Sequence, residues 1–160
     1  MSAAYPLEAL LGIRERRADD RRRDLALRQA ALAQARAALD EAVRQCEEYR
    51  KYMDAEISAR SDRLIGQTLC KEALEEFKRG LESLKFKLAD LELAAERARG
   101  DLRKAADEEK QARACLREAV LETEKIKSHR KIWQAAQRLE QERAEDLELE
   151  DFSPRKPPAP

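Results

Sequence analysis

Aromatic residues and glycine are scarce in this chain. Of its 160 residues only 4% are aromatic, and four are glycine. Globular domains of this length normally contain more of both, because aromatic side chains fill cores and glycines form turns. Alanine, leucine, glutamate and arginine dominate instead, and 41% of the residues are charged. No alternating apolar and polar pattern indicates a strand, so the composition predicts an all-α protein built from long helices.

Net charge and long apolar runs are also missing. The formal charge is +0, so the chain has no overall basic field that would hold nucleic acid or an acidic membrane. No apolar stretch approaches the roughly 20 residues of a membrane span. We therefore expect no nucleic-acid binding and no direct membrane insertion. The first 17 residues lack the basic and apolar regions of a secretory signal, so export by a cleaved signal is not expected.

Residues that commonly carry chemistry are few and scattered. The three cysteines, Cys46, Cys70 and Cys115, fit neither a disulfide framework nor a metal-ligand spacing, which favours free thiols in a reducing cytosol. His129 is the only histidine and follows Ser128 in a helical pattern. No glycine-rich phosphate loop is present. The sequence therefore predicts no enzyme, with no catalytic residue, no metal ligand and no cofactor.

Proline and glycine mark the boundaries of the helices. Proline is absent between Pro6, which suits the first turn of a helix, and Pro154. The tail "SPRKPPAP", residues 153–160, is expected to be disordered. Within "LIGQTLC", Gly66 can adopt the left-handed conformation that closes a helix, and Thr68 can cap the next one. These signals predict one hairpin over residues 1–152, with helices at about 6–65 and 72–150 and a turn at about 66–71.

Apolar residues recur with a period of 3.5 in both halves, which predicts a coiled-coil seam in each. The second half is the more regular, at Leu74, Phe77, Leu81, Leu84, Leu88, Leu91, Ala95, Ala98, Leu102, Ala105, Glu109, Ala112, Leu116, Ala119, Thr123, Ile126, Arg130 and Trp133. The first half has one apolar row and one mixed row, at Leu11, Ala18, Leu25, Leu32, Leu39, Cys46 and Met53, and at Arg14, Arg21, Arg28, Ala35, Ala42, Tyr49 and Glu56.

Two architectures are compatible with these seams. One is an antiparallel two-helix coiled-coil hairpin within one chain, and the other is a continuous rod that dimerises. The hairpin is favoured because the only turn signal separates halves of similar length. A turn near residue 69 pairs positions whose numbers sum to about 138. It places Arg28 near Glu109 and Arg14 near Glu124.

An arginine-rich stretch, "RERRADDRRRD" from Arg14 to Asp24, contains six arginines and four acids. Arg14 and Arg21 lie on the seam, where their aliphatic stems can cover small residues opposite. The other four arginines point elsewhere. They form either a solvated helix face with intrahelical ion pairs or a surface for a partner.

The end of the second helix raises similar alternatives. Trp133 lies on the seam opposite the start of the chain, so it either packs in the core or contacts a partner. The acids between Glu140 and Asp151 oppose the helix dipole, and they form either a solvated end or a docking surface for a basic partner.

Two segments carry a resemblance to a known family. The opening "YPLEALLGIRERRADD" and the ending "SHRKIWQAAQRLEQERAEDLELEDF" resemble the type III secretion stalk proteins of the YscO, or SctO, family, which are related to flagellar FliJ. The resemblance covers residues 5–152. It implies an antiparallel two-helix coiled coil similar to the shaft of rotary ATP synthases, and it implies no catalytic residues.

The resemblance also implies a role and partners. Such a protein stands in the pore of the hexameric secretion ATPase, in the bacterial cytoplasm, and links it to the export-gate ring at the inner membrane; some members handle chaperones of secreted translocators. The residues expected to bind partners are Arg14, Arg16, Arg17, Arg21, Arg22, Arg23, Arg130, Lys131 and Trp133. Two alternatives remain open, a free coiled-coil adaptor or escort for secretion chaperones and a homodimeric structural rod.

Overall fold

Two long helices make up the chain. The computed structural model describes residues 4–66, 68 and 70–152, without the side chains of residues 151 and 152. It contains α1 (Glu8–Leu64) and α2 (Lys71–Phe152), and none of the described residues lies in a strand. The two helices pack against each other as an antiparallel hairpin. The predicted all-α hairpin is therefore confirmed, whereas the proline-rich tail at 153–160 lies outside the described residues.

A proline turn precedes α1. The Glu8 N–H donates to the Tyr5 carbonyl at 3.2 Å, which closes a turn with Pro6 at its second position, where the fixed φ of proline fits. The first helical bond follows, from the Leu11 N–H to the Leu7 carbonyl at 2.9 Å. The prediction that Pro6 lies in the first turn of the helix is wrong, because the helix begins at Glu8.

The connection between the helices depends on one glycine. Gly66, with φ at 83°, is the only residue with a positive φ in the part of the chain that the structure describes. It closes α1 in the left-handed conformation that the sequence predicted. The prediction that Thr68 caps α2 is wrong. The Leu74 N–H donates to the Cys70 carbonyl at 3.3 Å, so Cys70 occupies the cap position and Thr68 lies two residues before it.

The chain divides into two compact units, which we call the turn unit (Leu25–Ala112) and the terminal unit (Met1–Asp24 with Arg113–Pro160). In the turn unit the buried residues all lie on the predicted seams: Cys46, Leu84, Ala95, Glu109 and Ala112. Ion pairs between the helices flank them. Arg28 Nη1 lies 2.6 Å from Glu108 Oε2, one residue from the expected Glu109, and Arg50 Nη2 lies 2.6 Å from Glu92 Oε1.

The terminal unit is built in the same way. Its buried residues are Tyr5, Leu11, Ala18, Ala119 and Thr123. The Thr123 hydroxyl donates to the Ala119 carbonyl at 2.8 Å and lies 3.3 Å from the carbonyl of Arg14 on α1. A buried hydroxyl therefore has hydrogen-bond acceptors on both helices, which removes the cost of placing it in the seam.

Burial follows the predicted heptads in both helices. Of the seam positions predicted in α2, only Leu74 is exposed, at 41%, and of those in α1 only Arg28 is exposed. Leu74 lies in the first turn of α2 and Arg28 turns outward to Glu108. A Cβ added at Gly80 would overlap only the guanidinium of Arg60, the end of a flexible side chain that can move aside, so this position does not require glycine.

Gly66→Ala and Gly100→Ala should change stability in opposite directions. The alanine at 66 must adopt a left-handed φ, which costs about 1–2 kcal/mol. Gly100 lies within α2 with no heavy atom within 4 Å of an added Cβ, so alanine there should stabilise the fold by about 0.5–1 kcal/mol. Urea unfolding of the two variants measures both effects. Equal shifts in the same direction would contradict the assigned turn.

Candidate partner-binding surface

All nine residues predicted to bind partners belong to the terminal unit. Six lie on α1 between Arg14 and Arg23, and Arg130, Lys131 and Trp133 lie on α2. They fall into three groups that differ in burial: an aromatic cluster around Trp133, arginines that contact the opposite helix, and arginines that face solvent. Each group has a different chemical capacity.

The aromatic cluster joins the start of the chain to α2. Tyr5 is 7% exposed, and its ring centroid lies 5.5 Å from that of Trp133 and 5.8 Å from that of His129. Its hydroxyl lies 2.8 Å from His129 Nδ1 and 3.4 Å from the Ile126 carbonyl. When the hydroxyl donates to that carbonyl, Nδ1 donates to the hydroxyl. The half-buried Trp133 is thus mainly part of the packing, which favours the first of its two predicted roles.

A groove of about 460 Å³ opens beside this cluster, lined in part by Glu8, Arg130, Trp133 and Arg138. Arg130 Nη1 lies 3.4 Å from Glu8 Oε1. Within the described residues, Arg130 Nε is buried and has no hydrogen-bond partner. Lys131, the next residue, is exposed. The charged groups of Arg130 and Lys131 remain near the surface, while the rest of the Arg130 side chain covers the seam.

Two arginines lie close to the seam, as the heptads predicted. Arg14 is half-buried and pairs with Glu122, two residues from the expected Glu124. Arg21 is half-buried too. Arg17 Nη1 reaches the same Glu122 carboxylate at 3.9 Å, so two arginines share one acid on the opposite helix.

The remaining arginines face solvent. Arg22 pairs with Asp19 at 2.5 Å and Arg23 with Asp20 at 3.4 Å, one turn away on the same helix. Arg16 is exposed and has no carboxylate within 4 Å among the described residues. The side chains of Arg17, Arg22 and Arg23 are 54%, 59% and 79% exposed. Pairs this exposed contribute about 0.2–1 kcal/mol each, so the guanidinium groups can exchange partners at little cost.

Sequence reasoning missed two features of this unit. Lys127 Nζ lies 3.4 Å from Glu15 on α1 and 3.8 Å from Glu124 on its own helix. His129 contacts Tyr5, and no partner was predicted for this histidine from the sequence. Both residues occupy heptad positions that flank the seam, and that position was the signal that could have identified them.

The described residues give no support for a membrane-spanning segment or a metal site. Neither helix includes a stretch that is long and apolar enough to cross a membrane. No group of three or more histidine, cysteine or acidic side chains there is placed to hold a metal ion. The arrangement is suited to reversible contacts with charged protein surfaces.

A comparison with known protein families shows to which family the chain belongs. Residues 7–155 match the family described as Type III secretion protein YscO. The chain belongs to the YscO family. The resemblance of the opening and closing segments is therefore confirmed by a match over most of the sequence. No curated protein matches this YscO-family chain significantly.

Two solved structures share its fold. The crystal structure of the type III secretion protein YscO from Vibrio parahaemolyticus is 25% identical, with a TM-score of 0.79 and coverage of 91% of this chain and 92% of that one. CT670 from Chlamydia trachomatis, described as a YscO homologue, is 21% identical, with a TM-score of 0.80 and coverage of 94% and 92%. The second likeness concerns the fold alone.

Trp133→Ala should lower the free energy of unfolding by about 2–3 kcal/mol. The ring is half-buried against Tyr5, so its truncation costs less than that of a fully buried tryptophan. The matched control is the neighbouring Ile132→Ala, whose side chain is 68% exposed and should change stability by less than about 0.5 kcal/mol. Thermal and urea unfolding measure both. An unchanged melting temperature in Trp133→Ala would show that the cluster does not stabilise this unit.

Proposed function

We propose that the chain is the central stalk of the type III secretion ATPase complex, at the cytoplasmic face of the secretion apparatus in the bacterial cytoplasm. It links the hexameric ATPase to the export-gate ring, and it works by contact rather than by catalysis. Membership of the YscO family supports a role in type III secretion. The observation that carries the stalk proposal is the exposed arginine surface of the terminal unit, formed by Arg16, Arg17, Arg22 and Arg23.

Symmetry explains why such a surface suits a stalk. A single hairpin inside a six-fold ring cannot make the same contacts with every subunit. A large hydrophobic interface would hold it in one orientation, whereas exposed charges form weaker, screened contacts that exchange as the ring changes state. Arg22 and Arg23 are held only by pairs within one helical turn, so an acidic surface of the ring can replace those partners.

The analogy with the rotary shaft gives the polarity of the stalk. It assigns the terminal unit, which carries the exposed arginine surface, to the ATPase and the turn unit to the export gate. Chaperones of secreted translocators are further candidate partners. The chaperone escort and the homodimeric rod remain rival functions. Reconstitution with the ATPase distinguishes both of them from the stalk function.

Reconstitution with the secretion ATPase of the same system is the direct test. We expect the chain to increase both the hexamer fraction, measured by sedimentation velocity, and the rate of ATP hydrolysis. Binding to a purified chaperone without any effect on the ATPase would favour the escort function. A stable dimer of this chain that does not bind the ATPase would favour the structural rod.

Replacing Arg16, Arg17, Arg22 and Arg23 together with glutamine should weaken ATPase binding and reduce its salt dependence. The fold should survive, because exposed pairs contribute about 0.2–1 kcal/mol each. The matched control replaces four exposed arginines of the turn unit, at positions 36, 79, 97 and 103, and changes the net charge equally. Affinities are measured for the ATPase and for the export-gate ring, at low and physiological salt.

Two outcomes of this comparison decide the polarity. A loss of ATPase affinity in the terminal variant alone supports the assignment. A loss of export-gate affinity alone would keep the charged contact but reverse the two ends. Equal affinity and equal salt slope for all variants with both partners would reject the arginine surface.

A further inference from the structure

The seam has no buried residue over one stretch inside the turn unit. Within that unit no residue of α1 before Cys46 is buried, and none of α2 between Ala95 and Glu109 is buried. We call residues 29–45 of α1 and 96–107 of α2 the thin segment. The seam is where a two-helix hairpin removes apolar surface from water, so the packing of this segment stabilises the hairpin weakly.

Small side chains account for the weak packing. The thin segment contains seven predicted seam positions, all of them half-buried and four of them alanine: Leu32, Ala35, Leu39, Ala42, Ala98, Leu102 and Ala105. Nearer the turn the seam side chains are larger, at Tyr49, Met53, Leu84, Leu88 and Leu91. Stabilisation by apolar burial grows with the area that is buried, so pairing is weaker in the thin segment than on its turn side.

Polar contacts do not replace the missing packing. Ion pairs between the helices join Arg28 to Glu108 and Arg50 to Glu92, just outside either end of the thin segment. Between these two pairs, the described side chains form ion pairs and hydrogen bonds only within one helix, never across the seam. The two helices are therefore held together there by half-buried alanine and leucine alone.

A glycine and a groove lie in the same region. Gly100 is inside the thin segment, and no heavy atom lies within 4 Å of a Cβ added there, so no close approach of the helices requires glycine. Glycine weakens a helix, because it loses more backbone freedom on folding than any other residue. Where the thin segment ends, a groove of about 370 Å³ is lined by residues of both helices, among them Val43, Cys46 and Ala95. Helix stability and packing are thus both reduced at one place.

We infer that the thin segment is a hinge, at which the paired helices part transiently while the seam on both sides of it stays closed. Helices of this length are only marginally stable without packing, so each helix loosens locally when the pairing is lost. The alanines favour helix, which lets the segment close again. The hinge is a property of this chain alone. Its use rests on the proposed stalk function, in which the hinge lets the shaft yield as the ATPase ring changes state.

Hydrogen exchange of the full chain distinguishes a hinge from a uniform hairpin. A uniform hairpin opens from its ends, so the amides of the thin segment would exchange most slowly. We expect the opposite: after correction for intrinsic rates, amides of residues 29–45 and 96–107 should exchange about tenfold faster or more than those of residues 11–21 and 84–92. Slowest exchange in the thin segment would overturn the inference.

Two variants test whether the seam causes the opening. Ala35→Leu with Ala105→Leu enlarges half-buried seam positions and should slow exchange in the thin segment by about tenfold. The matched control, Ala33→Leu with Ala37→Leu, adds the same groups at exposed positions of the same segment and should leave the rate within about twofold. Equal slowing in the seam variant and the control would overturn the inference.

Gly100→Ala keeps the test valid even where leucine does not fit the seam. It strengthens α2 without adding a contact and should slow exchange in the thin segment by about two- to fivefold. Unchanged exchange in both the seam variant and Gly100→Ala would show that the thin segment is not a hinge.

Limited digestion with trypsin gives an independent readout. The chain contains 33 lysines and arginines, and six of them lie in the thin segment: Arg36, Arg44, Arg97, Arg99, Arg103 and Lys104. Cleavage within a helix requires local opening. The first cuts away from the turn and the chain ends should therefore fall at these six residues, and Gly100→Ala should slow them. First internal cuts elsewhere in the helices would contradict the hinge, whereas failure to bind the ATPase would reject only the stalk function.

Discussion

The hairpin is held together by the apolar seam between α1 and α2. Two helices offer no other place to bury apolar surface, and the chain has few aromatic residues to fill a core. Its buried positions are mostly small, among them Ala18, Ala95, Ala112 and Ala119. Small residues let the two backbones approach closely, and each contributes little by itself, at about 25 cal/mol per Å² of apolar surface. Stability must therefore accumulate along the seam, which requires the heptad pattern to continue without interruption.

A narrow seam leaves the charged residues outside it. Arg28 and Arg50 form pairs between the helices, but their side chains remain 45% and 54% exposed. Such pairs add little to stability and are screened by salt. The same physics makes the arginines of the terminal unit available, since what holds them to the hairpin is weak.

The terminal unit contains both a packed aromatic cluster and an exposed helix end. Tyr5 ties the start of the chain to α2 through His129 and Trp133, which keeps the first turn of α1 against the seam. α2 then continues past that cluster, and its last residues are exposed. The terminal unit therefore has two kinds of surface. Charged side chains precede the aromatic cluster, and an acidic helix that contains leucines follows it. In the proposed stalk these surfaces face the ATPase.

The helices, the turn and the seam could be predicted from the sequence. The period of 3.5 predicted paired helices, Gly66 marked the one left-handed residue in the described part of the chain, and the approximate register followed from the position of the turn. Local capping was predicted less well, because the N-cap is the residue whose carbonyl accepts the first helical bond, and Cys70 rather than Thr68 has that position.

The individual side-chain contacts became visible only in the packed hairpin. Arg14 pairs with Glu122 rather than with the predicted Glu124, which lies two residues further along α2 and near Lys127 of the same helix. The contact of Tyr5 with His129 joins residues 124 positions apart in sequence, so no local pattern indicates it. Exposure of residues 138–150 likewise depends on where α1 begins against α2. A heptad pattern specifies the face that each residue occupies, whereas contacts and exposure depend on the side chains that the partner helix brings to that face.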